Sequence, residues 1–475
     1  MPVLRRPEKI ERLLLPERRA ILAADTDVLV IGGGPAGLGA AIGAAQAGAK
    51  VILAERYGFL GGNATAALVM PLMSFFTQHP SPERPIVGKL LPNDHGEGEA
   101  VIAGALKSLL ERLIAKGGAI QPSLETGFVV PFDPEIFKIV ALELLDELGI
   151  QFLFHSFAYD IFGSKAPEGV VFASKTGPIV IKAKMFVDAT GDGDIAAYAG
   201  AEYEMGRNED QLVQPMTLMF RMVGFDHAAF EAYVAENPTQ WRGVHGLWDL
   251  IQKASRAGEL DLAREDILFF GTPYPEEVAV NSTRITRVLG TDIWDLSFAE
   301  WQSRRQMQQI VNFLQKYVPG FASAYAAQSG VQVGVRETRR IRGDYQLTAA
   351  DLLSARKFDD VIARGTYPLD IHNPNGSGTT LKRIPAGEAY DIPLRSLLPK
   401  GLDNVIVAGR CISGTHEAHS SYRVMPISMA TGQAAGVCAA LAAESASDLR
   451  DIAVKNVQRE LLRQGADLGN RVKVS

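Results

Sequence analysis

The chain has 475 residues, with 48 basic and 54 acidic side chains and only two cysteines, Cys411 and Cys438. The length predicts two closely connected domains, and the mild negative charge without a basic block argues against a nucleic-acid partner. Two cysteines exclude a disulfide framework and cannot ligate an iron–sulfur cluster alone, and we expect no metal site. The first 25 residues are rich in Arg and Glu and lack an apolar core, so we expect no secretory signal and a soluble, cytoplasmic protein.

The stretch from 27 to 55 predicts a dinucleotide-binding βαβ unit. We expect the segment before it, 1–24, to be a helical arm. A β-branched strand is followed by G-x-G-x-x-G, a small-residue helix and a second strand. The glycines permit a tight turn, close approach of a pyrophosphate and close packing of the helix, whose N-terminus faces the phosphate charge. Glu55 stands 18 residues after Gly37, where an acidic side chain accepts a ribose hydroxyl. The predicted cofactor-binding residues here are Gly32, Gly34, Pro35, Ala36, Gly37, Glu55 and Arg56.

A second Gly-rich loop follows the acidic residue. Gly61 and Gly62 allow another close approach, and Asn63 and Thr65 offer side-chain hydrogen bonds. In FAD proteins of the glutathione-reductase-like type such a loop passes the ribityl and pyrophosphate portion, whereas an NAD enzyme does not need it; a plain turn is the alternative. The loop from Tyr57 to Thr65 contains no His or Cys, so we expect noncovalent binding.

The segment from 75 to 99 is longer than most connections between elements. It contains Pro80, Pro82, Pro85 and Pro92 with few apolar anchors. Long connections of this kind are usually lids or disordered. We expect it to order over the substrate.

The next elements alternate between helices and strands. Apolar residues at helical spacing predict helices at 101–114 and 134–149. A strand is expected at 151–158, where the backbone of Ala158 could contact an adenine. Two β-rich runs, near 170 and 180, read as a β-hairpin.

The sequence KMFVDATGDGD predicts a strand that runs into a third Gly-rich loop. We expect Gly191 and Asp192 to contact the cofactor. An acidic pair beside phosphates is unfavourable unless it binds ribityl hydroxyls or caps a helix, and Asp194 is placed to cap the helix that follows.

The Gly-rich signals fade between 205 and 335, where we expect an inserted substrate or cap domain. A strand is predicted at 215–223 and a long amphipathic helix at 298–318. The apolar stripe of that helix is interpreted as core and not as a cofactor contact.

The sequence GVRETRRIRGD places four arginines within seven positions, alternating with acidic residues. One interpretation is a structural lattice of ion pairs. The other is that Arg336 or Arg339 faces the flavin or an anionic substrate. Downstream, His372 in a Pro- and Gly-rich loop and Tyr390 are further candidates for an active-site group.

The last informative stretch predicts a strand, a polar loop and a small-residue helix at 425–443. The positive N-terminus of this helix is suited to stabilise charge at the N1–C2=O edge of a reduced flavin. Gln433 interrupts its apolar run, so we interpret it as a buried packing helix and not a membrane span. The remaining predicted cofactor contacts are Gly409, Arg410, Gly432, Gln433 and Ala434. His416 or His419 is predicted to be the catalytic base, and Arg423 to hold a substrate carboxylate or the flavin anion.

Taken together, GGGPAG at 32–37, LGG at 60–62, ATGDGD at 189–194, GVRETRR at 334–340 and AGRCISGTHEAH at 408–419 resemble the motifs of an FAD-dependent oxidoreductase family. The resemblance implies that the Gly-rich loops and the last helix bind FAD. It implies an α/β fold: a Rossmann-like FAD-binding domain with a parallel sheet, plus an inserted α+β substrate or cap domain. The expected division is 1–204 for the first part of the FAD-binding domain, 205–335 for the cap, and 336–475 for a segment that completes the FAD-binding domain.

The leading function is a dehydrogenase or oxidase that takes a hydride from a small organic substrate onto FAD, with a histidine as base. Only one complete dinucleotide fingerprint is present, which disfavours a resident nicotinamide, so electrons would leave to oxygen, a quinone or a partner protein. The alternatives are a reductase of activated double bonds with an Arg as proton donor, resembling fumarate reductases, and a flavin monooxygenase. The non-enzymatic alternative is a prenyl-protein escort of the same fold that has lost its flavin. The intact Gly32, Gly34, Gly37 and Glu55 argue against it. The sequence leaves a homo-oligomer open.

Overall fold

The structure is a computed structural model that describes residues 3–79, 90–91, 98–123, 126–163, 166–262, 264–376 and 378–472. Most of the predicted lid from 75 to 99, including its four prolines, lies outside the described residues.

The strands account for the central sheet and several smaller sheets. They are β1 (Ile21–Ile31), β2 (Val51–Ala54), β3 (Pro71–Leu72), β4 (Val130–Pro131), β5 (Gln151–Leu153), β6 (Phe157–Phe162), β7 (Gly169–Ser174), β8 (Gly177–Asp188), β9 (Tyr203–Met205), β10 (Phe220–Val223), β11 (Trp241–Arg242), β12 (His245–Gly246), β13 (Ile267–Gly271), β14 (Glu277–Val280), β15 (Tyr325–Ser329), β16 (Arg339–Ile341), β17 (Val361–Gly365), β18 (Leu369–His372), β19 (Thr379–Lys382), β20 (Tyr390–Pro393) and β21 (Val405–Val407).

The helices cover both the sheet and the inserted region. They are α1 (Pro35–Gln46), α2 (Ala105–Ala115), α3 (Pro134–Glu147), α4 (Asp194–Tyr198), α5 (His227–Glu236), α6 (Trp248–Arg256), α7 (Ile293–Tyr317), α8 (Ala349–Leu353), α9 (His416–Tyr422), α10 (Met425–Ser445) and α11 (Val454–Arg463).

The central sheet has the order β5-β2-β1-β8-β7-β6, and β21 also pairs with β8. Strands β5, β2, β1, β8 and β21 are parallel to their neighbours, whereas β6, β7 and β8 form an antiparallel meander. The long β8 pairs with β1 along one edge, and along its other edge residues 177–182 pair with β7 and residues 186–188 with β21. The predicted α/β class with a parallel sheet is confirmed. The polypeptide between 394 and 408 returns to complete this sheet.

The inserted region builds a second sheet with its own core. Six antiparallel strands run in the order β11-β12-β13-β14-β10-β15. Phe220, Phe269, Val278, Ile310 and Leu314 belong to one buried cluster, so the apolar stripe of α7 is core, as predicted. The domain boundaries stay a prediction.

Helix α10 packs along α1 at the centre of the protein. Among the described residues it is the one helix long and apolar enough to cross a membrane, but 89% of its apolar window is buried inside the fold. Its length and composition are therefore those expected of a packing helix. Small residues are required at the crossing, because a Cβ on Gly39 would lie 2.1 Å from the Met429 carbonyl oxygen and one on Gly436 would lie 2.0 Å from that of Ala40.

Two predicted elements differ in the structure. The helical arm at 1–24 is wrong: the described residues 3–20 contain no helix, and β1 begins at Ile21 because Ile21–Thr26 pair with β8. The single strand at 151–158 is also wrong, since it is split into β5 and β6. His155 between them adopts a left-handed φ of 55°, and the His155 and Ser156 N–H groups donate to the Tyr57 and Glu55 carbonyls.

Candidate functional site

A cleft lies at the carboxyl ends of β1, β2, β8 and β21. Its volume is about 1130 Å³ when the space open to solvent is counted. This edge of a parallel sheet is where such folds bind ligands. Most of the sequence-predicted cofactor residues line the cleft, namely Gly32, Gly34, Pro35, Ala36, Glu55, Arg56, Gly62, Asn63, Ala158, Gly191, Asp192, Gly409 and Arg410, together with Arg423.

Two Gly-rich loops meet at the mouth of helix α1. The Gly61 N–H donates to the Gly33 carbonyl at 2.8 Å, and a Cβ on Gly62 would lie 2.8 Å from the Gly34 Cα. Helix α1 starts at Pro35 with no side-chain cap and no acidic residue in its first turn. Its free N–H groups and dipole therefore face the cleft, which is the arrangement that binds a phosphate.

Glu55 is buried at the end of β2 and holds the first Gly-rich loop. Its Oε2 accepts from the Gly33 N–H at 2.6 Å and its Oε1 from the Tyr57 N–H at 2.9 Å. Burial raises the pKa of this carboxyl above its ordinary value, against the lowering effect of both backbone donors. The carboxylate lines the cleft with lone pairs that these two bonds do not use.

The acidic loop after β8 is compensated by arginines from distant segments. Asp192 Oδ1 accepts from Arg410 Nη2 and from Thr338 Oγ1, each at 2.8 Å. Asp194 accepts from Arg339 Nη1 at 2.8 Å and does not cap the helix, because it is the first residue of α4 and Gly193 is the cap residue. Burial, followed by repulsion from Asp192 and Asp188, raises the pKa of Asp194 to about 6.

Several predicted cofactor residues pack the interior and do not line the cleft. A Cβ on Gly37 would lie 1.7 Å from the Gly32 carbonyl oxygen, as expected for the glycine that brings helix and strand together. The Thr65 hydroxyl donates to the Leu60 carbonyl at 2.6 Å beneath the Gly61 turn.

Gly432, Gln433 and Ala434 also lie away from the cleft, because α10 leaves it after its first turn. Met425 and Ser428 line the cleft. Gln433 instead accepts from the Ala105 N–H at 3.1 Å and donates to Gln464 at 3.0 Å, and Ala434 is fully buried.

Positive charge collects where Arg423 lines the cleft. Arg423 lies 3.7 Å from Asp370 Oδ2, and His372 Nε2 lies 3.2 Å from the same oxygen. Arg336 does not line the cleft; it donates to the Pro215 carbonyl and to Thr217 Oγ1, each at 2.6 Å. Loss of hydration, with Arg423 as the largest electrostatic neighbour, lowers the pKa of Arg336 to about 9.

His416 belongs to a buried network beside this charge. Its Nδ1 lies 3.0 Å from Glu337 Oε1. The same carboxylate accepts from Arg340 and, at 3.0 Å, from the Gln214 N–H, while the His372 N–H donates to Gln214 Oε1 at 3.4 Å. Because a carboxylate paired with Arg340 accepts hydrogen bonds, Nδ1 carries a proton, and Nε2 is the acceptor nitrogen of the neutral imidazole. Within the described part of the chain, His416 Nε2 and Gln214 Nε2 have no hydrogen-bond partner.

The other candidate bases have less suitable surroundings. His419 is fully buried, and loss of hydration followed by repulsion from Arg340 holds its pKa well below the ordinary value. His372 has both ring nitrogens engaged, by Asp370 and by Thr379 at 3.3 Å, and burial lowers its pKa to about 4. The Tyr390 hydroxyl is buried against Ser421 at 2.8 Å, and burial raises its pKa. Neither His416 nor His419 lines the cleft.

Sequence reasoning missed part of the site. Thr190, Gln332 and Ser428 line the cleft, and Gln214 and Glu337 orient the histidine. Thr190 stands inside the ATGDGD motif and Ser428 one turn into the last helix, so both carried a local signal. Glu337 stands inside the GVRETRR motif, but its contact with His416 could not be read from it. Gln332 and Gln214 carried no local signal, because their roles depend on contacts between residues far apart in the chain.

Comparisons with known proteins give the family of the chain. Residues 27–461 match the model of the family described as FAD dependent oxidoreductase. No curated protein matches the chain. Similar solved structures include a geranylgeranyl bacteriochlorophyll reductase-like protein from Thermoplasma acidophilum (13% identity over 94% of this chain and 84% of that one, TM-score 0.45). Others are a p-nitrophenol 4-monooxygenase from Pseudomonas putida (12%, 92% and 84%, TM-score 0.43) and a myxobacterial chondrochloren halogenase (13%, 94% and 81%, TM-score 0.44). Structures this distant from the chain do not indicate which reaction it catalyses.

Proposed function

The chain belongs to the FAD dependent oxidoreductase family and its cofactor is FAD, and we propose that it removes a hydride from a small organic substrate. The cleft residues fit the cofactor by their chemistry. The uncapped N-terminus of α1 and the adjoining Gly-rich loops would hold the pyrophosphate, and Glu55 would accept the adenosine ribose hydroxyls. The first turn of α10, with Gly409 beside it, would face the flavin end.

The observation that carries the proposal is the buried His416–Glu337 pair. A base must accept a proton when hydride leaves a carbon that bears a hydroxyl or an amine. Glu337 fixes the imidazole with its proton on Nδ1, so the unpartnered Nε2 is the atom that can accept. This relation between a base and an orienting carboxylate recurs in unrelated enzymes. We assign the base role to His416 before His419.

The chemistry balances with these groups. The substrate loses one C–H and one O–H or N–H bond and gains a C=O or C=N bond. FAD, when bound, supplies the acceptor for the hydride. His416 Nε2 takes the proton and becomes an imidazolium beside the Glu337 carboxylate, which stabilises that charge. The electrons then leave to oxygen, a quinone or a partner protein.

Rapid-mixing measurements of flavin reduction test this role. His416→Ala should slow reduction by roughly 10²–10⁴-fold with the FAD spectrum intact. His227→Ala is the control, since that imidazole lies at the surface of the inserted region beside Glu231. Reduction of His416→Ala at the wild-type rate would remove the assignment; His419→Ala would be measured next, and His372 and Tyr390 after it.

Arg336 favours a second candidate, a reductase of an activated double bond. Loss of hydration and the neighbouring Arg423 lower its pKa to about 9, which weakens its hold on the kind of proton that such a reductase delivers to a substrate carbon. In that direction enzyme reduced beforehand with dithionite is reoxidised by an α,β-unsaturated acid, and Arg336→Lys abolishes the reoxidation. Reoxidation by oxygen alone, with substrate-dependent bleaching in the forward direction, eliminates this candidate.

A further inference from the structure

Three arginines, of which Arg423 lines the cleft, have weaker acidic partners than buried cations normally have. Arg284 is 7% exposed and donates to the Gly378 carbonyl at 3.2 Å, and Arg336 contacts a carbonyl and a hydroxyl. Neither forms an ion pair with a carboxylate of the described residues. Arg423 reaches Asp370 only at 3.7 Å, and its buried Nε has no partner in the described part of the chain. Partial burial of unpaired cations is unfavourable unless an anion accompanies them.

Contacts around the β18–β19 pair bring these side chains into one cluster. Arg284 binds the carbonyl of Gly378 next to β19, and Arg423 lies 3.7 Å from Asp370 in β18. Arg336 binds the carbonyl that follows Gln214, whose Oε1 accepts from the His372 N–H in β18. Arg423, Asp370, Arg264 and Arg284 act electrostatically on the guanidinium of Arg336. Arg264 is already paired with Asp266 at 3.0 Å, which leaves three guanidinium groups and the single carboxylate of Asp370. The cluster therefore carries excess positive charge, and loss of hydration lowers the pKa of Arg284 as well as that of Arg336.

Unpartnered polar atoms mark the place where a ligand would bind. Gln214 is 1% exposed and His416 is 6% exposed, yet the Nε2 atoms of both lack partners among the described residues. Both belong to the network that also binds the His372 backbone, two residues from Asp370. Buried polar atoms are rarely left unsatisfied. A donor amide, a proton-accepting imidazole and a cationic cluster thus lie in one neighbourhood, with Arg423 connecting it to the cleft.

On this basis we infer that the cluster of Arg284, Arg336 and Arg423 binds the carboxylate of a small organic acid, which is the substrate of the proposed oxidation. The guanidinium fork matches a carboxylate in shape and charge. A phosphate monoester would also satisfy the excess positive charge, so the titration below includes one as the competing ligand. With the carboxylate held there, a neighbouring hydroxyl or amine can face His416. The identification of this ligand as the substrate rests on the proposed function.

Calorimetric titration of the FAD-loaded protein tests the inference directly. The probes are a panel of 2-hydroxy and 2-amino acids, the primary amide of each acid, and glycerol phosphate as the phosphate monoester. The amide keeps the shape and removes the charge. We expect at least one acid to bind about 10–100-fold more tightly than its own amide, as charge-assisted hydrogen bonds predict, and more tightly than glycerol phosphate.

Matched variants locate the effect. Arg336→Gln and Arg284→Gln should each weaken binding of that acid by about 10-fold or more and leave binding of the amide unchanged. Arg336→Lys, which keeps the charge without the fork, provides a second variant. Arg287→Gln is the control, because Arg287 lies on the same segment but is exposed, 3.3 Å from Asn375. FAD content and the urea midpoint of each variant report on its folding.

The outcomes separate the two proposals. Equal affinity for acids and amides, tighter binding of glycerol phosphate, or unchanged acid binding in both glutamine variants would overturn the carboxylate site. If acids bind as expected but none reduces the flavin, the carboxylate site stands and the proposed hydride transfer fails.

Discussion

The contact between α1 and α10 offers a sharp test of how the fold positions the cleft. Gly432 faces Ala36, and an added Cβ would lie 1.9 Å from the Ala36 carbonyl oxygen and 2.7 Å from its carbon. An ordinary contact needs about 3.4 Å, so the Gly432→Ala substitution requires the helices to separate by about 1.5 Å. The colliding atoms are backbone and cannot rotate away.

The magnitude follows from this geometry. An inserted methyl in a packed interior costs roughly 1–3 kcal/mol, and we expect the upper end because Gly39, Gly43 and Gly436 make equally close contacts along the same helix pair. Ala36 also lines the cleft. The substitution should therefore lower the urea midpoint of unfolding and weaken FAD binding by about 10-fold or more, which is the effect of a loss of 1.4 kcal/mol.

Urea unfolding and fluorimetric titration of the apoprotein with FAD measure the two effects. Gly376→Ala is the matched control, because no atom lies within 4 Å of its added Cβ. If Gly432→Ala and Gly376→Ala match the wild type in both measurements, the close crossing of α1 and α10 does not set the shape of the cleft.

Three further outcomes are expected. Glu55→Ala should weaken FAD retention, because two backbone N–H groups lose their acceptor at roughly 1–3 kcal/mol each; Glu55→Gln, which keeps one acceptor oxygen, should be intermediate in the same FAD titration. Acid precipitation should release the yellow colour into the supernatant, and colour kept in the pellet would contradict noncovalent binding. Burial lowers the pKa of His372 from 6.5 to about 4, so the unfolded chain takes up this proton first as the pH falls. The free energy of unfolding is therefore unaffected by this group above pH 6.5 and declines as the pH falls toward 4, by up to about 3 kcal/mol. His372→Gln should flatten that decline in urea midpoints measured across the range, and an unchanged slope would show that other groups cause it.

The sequence predicted the nucleotide-binding half of the fold well, because its signals are local. A strand, a Gly-rich turn and a helix are each fixed by residues close together in the chain, and so are the N-terminal proline and the Asp133 cap of α3. The start of β1 could not be predicted in this way. Ile21 and Leu22 are exposed, at 54% and 60%, and become strand because they pair with β8, which lies more than 150 residues away.

The run of arginines shows the same limit within the site. Three of the four found acidic partners, as the ion-pair interpretation expected: Arg339 with Asp194, Arg340 with Glu337, and Arg342 with Glu202 and Glu204. Arg336 did not. Which member of the run points toward the inserted region depends on the route of the backbone past Thr217, and spacing alone does not contain that information.

Anaerobic titration of the purified yellow protein with the panel of acids tests the central claim most directly. If the proposed function is correct, at least one hydroxy or amino acid bleaches the flavin and its amide does not. His416→Ala then slows the bleaching without loss of FAD. A protein whose flavin no acid bleaches, and which after chemical reduction is reoxidised by an unsaturated acid, would contradict the proposed direction of the reaction.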